Sequence, residues 1–148
     1  MASQSKNKHE LLMVEIIKTS GYIERKITEV LKEFEITPIH YNILRILKGA
    51  HPTPLSAGEI KERMLFPNPD VTRLIDRMIK RNIVERNICE NNRRKMDILI
   101  TKEGIELLRK IYPKLEKATN YFFSTEVNET NVNTTIKHLE KIRNSLKS

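Results

Sequence analysis

The chain holds one cysteine, Cys89, in 148 residues. A lone thiol excludes an internal disulfide and fits a reducing compartment. Glycine is scarce, with 4 in the whole sequence. No Gly-rich phosphate loop and no nucleophile elbow can be read from it. No apolar run approaches the roughly eighteen residues that a membrane span needs. The stretch from Met1 to His9 is polar and lacks the apolar core of a secretion signal, so a cytoplasmic chain is expected. The histidines His9, His40, His51 and His138 are scattered, and none pairs with the cysteine at zinc-site spacing. No metal, no cofactor and no catalytic residue is therefore expected.

What the sequence does have is charge. Lys, Arg, Asp and Glu make up 31% of it, and hydrophobic residues 39%. That balance suits one helix-rich domain with a wet surface. The net charge of +8 is unevenly placed. From Lys61 to Lys102 there are 11 Lys/Arg against 6 Asp/Glu, which puts +5 in 42 residues. A polyanionic partner and a merely solvated basic surface both fit that asymmetry.

Periodicity sets out the elements. From Glu10 to about Phe34, Leu12, Ile16, Ile23, Ile27, Leu31 and Phe34 recur at helical spacing, with Gly21 expected to mark a bend or a close contact. Thr37-Pro38 starts a second helix by a hydroxyl cap and a proline at the first position. Residues 50–55 read as loop. Ser56-Ala57-Gly58-Glu59 is a capping box for a short helix that points Ile60 and Met64 inward and stops by Phe66-Pro67. Asn68-Pro69 repeats the cap-plus-proline start. Val71, Leu74, Ile75, Met78 and Ile79 then form an amphipathic stripe along a helix of roughly 20 Å. Asn82 stands where the chain needs a left-handed residue. Ile83–Cys89 and Met96–Ile100 read as two strands around a polar tip, Asn91-Asn92-Arg93-Arg94-Lys95. Thr101 caps a further helix, with Glu103 at its positive end and Pro113 expected to kink it. A last helix carries Val132, Ile136, Leu139, Ile142 and Leu146.

Helix, turn, helix and basic hairpin together form a grip for double-stranded DNA, the second helix in a major groove and the wing on the neighbouring backbone or minor groove. Groove-facing positions near the start of that helix are Asn68, Asp70, Thr72 and Arg73, with Arg77 one turn on. Arginine can bind guanine bidentately and threonine can reach a base edge or a phosphate. The blander alternatives are that Asn68 only caps, that Asp70 only complements the helix dipole, and that Arg77 pairs with Asp70 or Asp76. Arg93, Arg94 and Lys95 form the wing, drawn to the negative potential of a narrow minor groove, or else simply a soluble turn. Cys89, on the first wing strand, reads as a small buried hydrophobe; a redox switch is the alternative.

The sequence resembles the MarR-type winged helix-turn-helix transcriptional regulators over nearly its whole length. The matching blocks are ITPIHYNILRIL (36–47), LSAGEIKERM (55–64), NPDVTRLIDRMIKRNIVER (68–86) and NNRRKMDILITKEG (91–104). The resemblance implies a mainly α fold with a small β-wing and one integrated domain. Its parts are an N-terminal dimerisation helix (1–36), a winged helix-turn-helix DNA-binding lobe (37–100) and C-terminal dimerisation helices (101–148). It implies a homodimer joined through the terminal helices on a palindromic operator, with repression relieved by a small-molecule effector or by oxidation as the commonest mode and activation as the other. By alignment Arg94 is the residue that enters the minor groove. Three departures stand out. Asn92 replaces an acidic residue that would pair with the wing arginine, Asn82 replaces a glycine, and the N-terminal peroxide-sensing cysteine of some members is missing. Two rival readings remain: a winged-helix nucleic-acid or protein-binding module without small-molecule sensing, and a small hydrolase built on His40, for which no spacing joins a nucleophile to a base.

Overall fold

The computed structural model describes residues 7–124 and 127–147. It is mainly helical, with one two-stranded antiparallel sheet. Helix α1 (Lys8–Leu31) begins at Asn7, whose Oδ1 accepts the His9 N–H at 3.0 Å. Gly21 marks no close contact within the chain, since a Cβ there would meet nothing within 4 Å. A 3-10 turn, Lys32–Phe34, closes on Glu35 at φ 55. Helix α2 (Pro38–Ala50) starts on Thr37 with proline in its first turn, as the sequence predicts.

Ser56 and Glu59 cap α3 (Ala57–Arg63) reciprocally. The Ser56 N–H donates to the Glu59 carboxylate at 2.7 Å, and the Glu59 N–H donates to Ser56 Oγ at 3.2 Å. Helix α4 (Val71–Lys80) has 10 residues and is about 15 Å long, shorter than expected. The difference lies at its start. Asn68 does not cap it; its Oδ1 accepts the Asp70 N–H at 2.8 Å in a turn that precedes the helix, and Asp70 holds the N-cap position. At the other end Asn82 adopts φ 59. Its N–H and that of Ile83 donate to the carbonyls of Ile79 and Met78, a paired closure of the last turn.

Strands β1 (Val84–Cys89) and β2 (Asn92–Ile100) pair antiparallel, from Val84 opposite Ile100 to Ile88 opposite Met96. Cys89 then pairs with Asn92, so Arg93, Arg94 and Lys95 are extra residues on β2. The sequence pattern predicts all three in a loop between two strands. They form instead a bulge within the second strand, and only Glu90 and Asn91 make the turn. The expected loop at 50–55 also contains structure: Leu55 is buried and bridges Ile98 as a short third edge.

Thr101 opens α5 (Lys102–Ser124). Its hydroxyl donates to the Asn82 carbonyl at 2.7 Å and accepts the Gly104 N–H at 3.0 Å. A Cβ at Gly104 would collide with the Ile83 carbonyl and the Ile100 side chain, so this close approach needs glycine. Pro113 lies inside α5, and α6 spans Glu129–Leu146. Packing divides the chain into one compact unit ending at Pro113 and a second beginning at Lys114.

In the first unit Leu31, Ile43, Leu44, Leu47, Ile60, Ile75, Met78, Val84 and Ile111 are almost completely buried. Each such side chain contributes roughly 1.5–3 kcal/mol of burial free energy. All five elements of the winged helix send residues into this core, which fixes α4 with its polar face outward. In the second unit α6 buries no residue. Among the described residues no helix is long and apolar enough to cross a membrane.

Candidate nucleic-acid interface

Helix α4 presents two faces. Val71, Leu74, Ile75 and Met78 are buried, while Thr72, Arg73, Arg77 and Lys80 are exposed. The predicted reading residues do not all converge. Arg73 turns back along its own helix, where its Nε lies 3.3 Å from the Asp70 carboxylate. Both side chains are more than half exposed, so a DNA phosphate or base edge can replace Asp70 at little cost. The pairing suggested for Arg77 is not made, because Asp70 pairs with Arg73 and Asp76 with Arg86. Arg77 lines a cleft of about 200 Å³ with His40, Met78 and Arg81, toward the C-terminal end of α4.

Thr72 looks the other way. It lines a groove of about 380 Å³ between α4, the start of α3 and the wing, together with Ser56, Arg86, Arg94, Lys95 and Met96. Here reading helix and wing meet. Arg94 and Lys95 form no salt bridge among the described residues. The side chain of Arg93 lies outside the described residues. Asn92 accepts the Arg94 N–H on Oδ1 at 3.0 Å. It thus stiffens the backbone of the bulge without occupying the guanidinium. Lys95 is near enough to Glu59 to help hold that carboxyl below its ordinary value, although the Ser56 backbone N–H is the larger cause.

Three residues that the sequence reading passed over hold this frame. Arg86 Nη1 on β1 reaches Asp76 Oδ1 on α4 at 2.9 Å and ties the wing to the reading helix. Buried Asn42 on α2 accepts the Leu65 N–H at 2.8 Å and pins the turn between α3 and α4. Arg81, just past α4, donates to the carbonyls of Glu35 at 2.7 Å and Phe34 at 3.1 Å, joining the reading helix to the corner between α1 and α2. Long-range pairs of this kind leave no periodic trace in a sequence. Asn42, a polar residue directly before the apolar Ile43 and Leu44 of α2, is the one available signal.

His40 completes the cap of α2. Its Nδ1 accepts the Thr37 N–H at 3.3 Å and lies 2.8 Å from the Thr37 hydroxyl. Burial, then the charges of Arg81 and Arg77, lower its pKa below the ordinary 6.5. Cys89 is half-buried. Among the described residues no group of three or more His, Cys, Asp or Glu side chains is placed to hold a metal ion.

Residues 34–95, the segment that builds this interface, match the model of the MarR family. The HTH-type transcriptional regulator PrsX of Escherichia coli is 29% identical over 101 residues, covering 68% of this chain and 61% of PrsX. The chain thus spans about three-fifths of the length of that curated relative. The crystal structure of AbsC, a MarR family transcriptional regulator from Streptomyces coelicolor, superposes with a TM-score of 0.86 at 19% identity, covering 99% of each chain. A mutant MarR from E. coli in complex with operator DNA superposes with a TM-score of 0.82 at 20% identity, covering 95% of this chain and 99% of that one. The match to the MarR family model is confined to residues 34–95, and the winged-helix fold of these solved structures is shared over nearly the full length of the chain.

Proposed function

We propose that the chain is a sequence-specific transcriptional regulator that binds double-stranded DNA as a homodimer, in the cytoplasm, and acts as a repressor on a palindromic operator. The observation that carries this reading is the shared groove. Thr72 of the reading helix and Arg94 and Lys95 of the wing line one concavity, and Arg73, the exposed residue next to Thr72 on α4, is held by its solvent-screened pair with Asp70. That arrangement suits a phosphodiester strand running between a major and a minor groove. In this reading Asn68 and Asp70 shape the entry of α4, Thr72 and Arg73 read, and Arg93, Arg94 and Lys95 hold the wing to the backbone. Arg77 makes an outlying phosphate contact at the far end of α4. The helices at the two ends serve as dimerisation helices around a reading lobe at 37–100. They carry apolar side chains in solvent, among them Leu12, Ile17, Ile136 and Leu139. A two-fold partner would cover these and set two reading helices about 34–36 Å apart. A small ligand that binds the two spacings with unequal affinity would modulate DNA binding.

The test is fluorescence anisotropy on a duplex selected by the protein from a random library, with a scrambled duplex as control, at about 50 and 200 mM salt. Specific binding that survives at the higher salt and drops about tenfold or more in Arg73→Ala is the expected result. Equal, salt-labile binding to both duplexes would refute sequence-specific regulation and favour a winged-helix nucleic-acid or protein-binding module without small-molecule sensing. Ligand control is tested on the same complex with a small-molecule library, and the absence of any compound that shifts the affinity removes that element.

A further inference from the structure

The wing carries an apolar pair that the core does not use. On β1, Val84, Arg86 and Ile88 share one face; on β2, Ile100, Ile98 and Met96 lie opposite them in that order. At the root this face is core: Val84 is 1% exposed, Ile98 2% and Ile100 4%. At the far end Ile88 is 64% exposed and Met96 37%. The bulge follows at once, and it sets Arg94 and Lys95 directly beside Met96, on the tip side of the pair. Met96 also lines the groove that holds Thr72.

An exposed apolar pair with cations beside it asks for a partner with the same alternation. A membrane surface would present continuous hydrocarbon, and an acidic protein would present charge without regular apolar relief. The wall of a DNA minor groove presents both, with anionic phosphates at the rim and the C–H edges of deoxyribose below them. We propose that Ile88 and Met96 are DNA-contacting residues that pack on deoxyribose edges of the minor-groove wall, while Arg94 and Lys95 hold the flanking phosphates. The proposal rests on the DNA-binding reading above and adds to it an apolar, salt-independent part of the wing contact.

The test uses the full chain, the selected duplex and the double variant Ile88→Ser, Met96→Ser. Ile88 projects into solvent and Met96 is more than one-third exposed, so the thermal midpoint should move little; the single Ile88→Ser variant repeats the experiment if the double variant does not fold. The expected result is about a tenfold loss of affinity, as fits partial burial of two apolar side chains, with the salt dependence of the parent protein. Lys95→Ala, by contrast, should flatten the salt slope by about one unit. Hydroxyl radicals, which attack deoxyribose from the minor groove, should regain access to sugars flanking each half-site in the double variant. Protection of guanine N7 in the major groove should persist. Unchanged affinity and footprint in the double variant would overturn the sugar contact and leave the DNA reading standing. Loss of self-association in place of DNA affinity would assign the pair to a chain–chain contact and also overturn it. Failure of the parent protein to select any duplex would refute the DNA reading itself.

Discussion

Helix α4 and helix α6 each carry a stripe of five apolar residues, denser in α4, and the two stripes have opposite fates. Of 10 residues in α4, Val71, Leu74, Ile75 and Met78 are buried. Of 18 in α6, none is buried, and Ile136, Leu139 and Leu146 are 48%, 40% and 79% exposed. Helix α1 sides with α6, burying Leu31 alone among 24 residues. A stripe at helical spacing predicts that a face will be covered, but not by what. In α4 the cover is the chain's own core. For α1 and α6 it is proposed to be a second copy, since exposed leucines and isoleucines in a row invite association.

The sharpest way to break this comparison is to cut both stripes. Ile75→Ala removes a side chain that is 1% exposed and should destabilise the fold by about 2–5 kcal/mol in urea unfolding. Ile136→Glu should leave the fold of the reading lobe intact and shift sedimentation from dimer to monomer. If the α6 stripe is only wet surface, that charge will leave the mass unchanged and the two-copy account fails.

A smaller effect is expected where the wing meets the reading helix. Arg86 and Asp76 remain 34% and 46% exposed, so solvent screens their ion pair. Asp76→Ala should cost less than about 1 kcal/mol in stability. Its larger effect should be on DNA affinity, because freeing Arg86 unties the wing from α4 and the proposed function has the two engage one duplex together. Loss of stability with unchanged affinity would mean that the bulge and the core position the wing unaided.

What was legible in the sequence follows the range of the interaction. Thr37-Pro38, the Ser56–Glu59 box, the α4 stripe and left-handed Asn82 are local signals, each complete within a few residues, and each takes its expected place. The start of α4 was misplaced because Asn68-Pro69 satisfies the same local rule as a helix cap, and the Asx turn to Asp70 competes with it. The bulge was invisible because register depends on the partner strand: five polar residues suit a loop as well as a bulge. Arg81, Arg86 and Asn42 act across 10 to 47 residues of sequence, where pattern gives no hold.

The smallest expected effect lies at His40, and its sign follows from geometry. Neutral Nδ1 accepts the Thr37 N–H; a protonated ring has no lone pair there. Burial and the nearby guanidiniums of Arg81 and Arg77 also oppose the charge, and Glu35 is the carboxylate among the residues that line the same cleft. The folded-state pKa therefore lies below 6.5, the ordinary value. As pH falls the unfolded chain takes up the proton first. The stabilisation from neutral His40 is complete above 6.5 and is lost as pH drops through the lower, folded-state value. Urea midpoints between about pH 8 and 5 should fall more steeply for the parent chain than for His40→Gln, whose amide oxygen can accept the same N–H without titrating. Because Arg81 holds the corner at Glu35 from the end of α4, the DNA affinity of the parent should weaken over the same interval. Parallel pH profiles for the two proteins would show that the cap at Thr37 does not depend on the charge of its histidine.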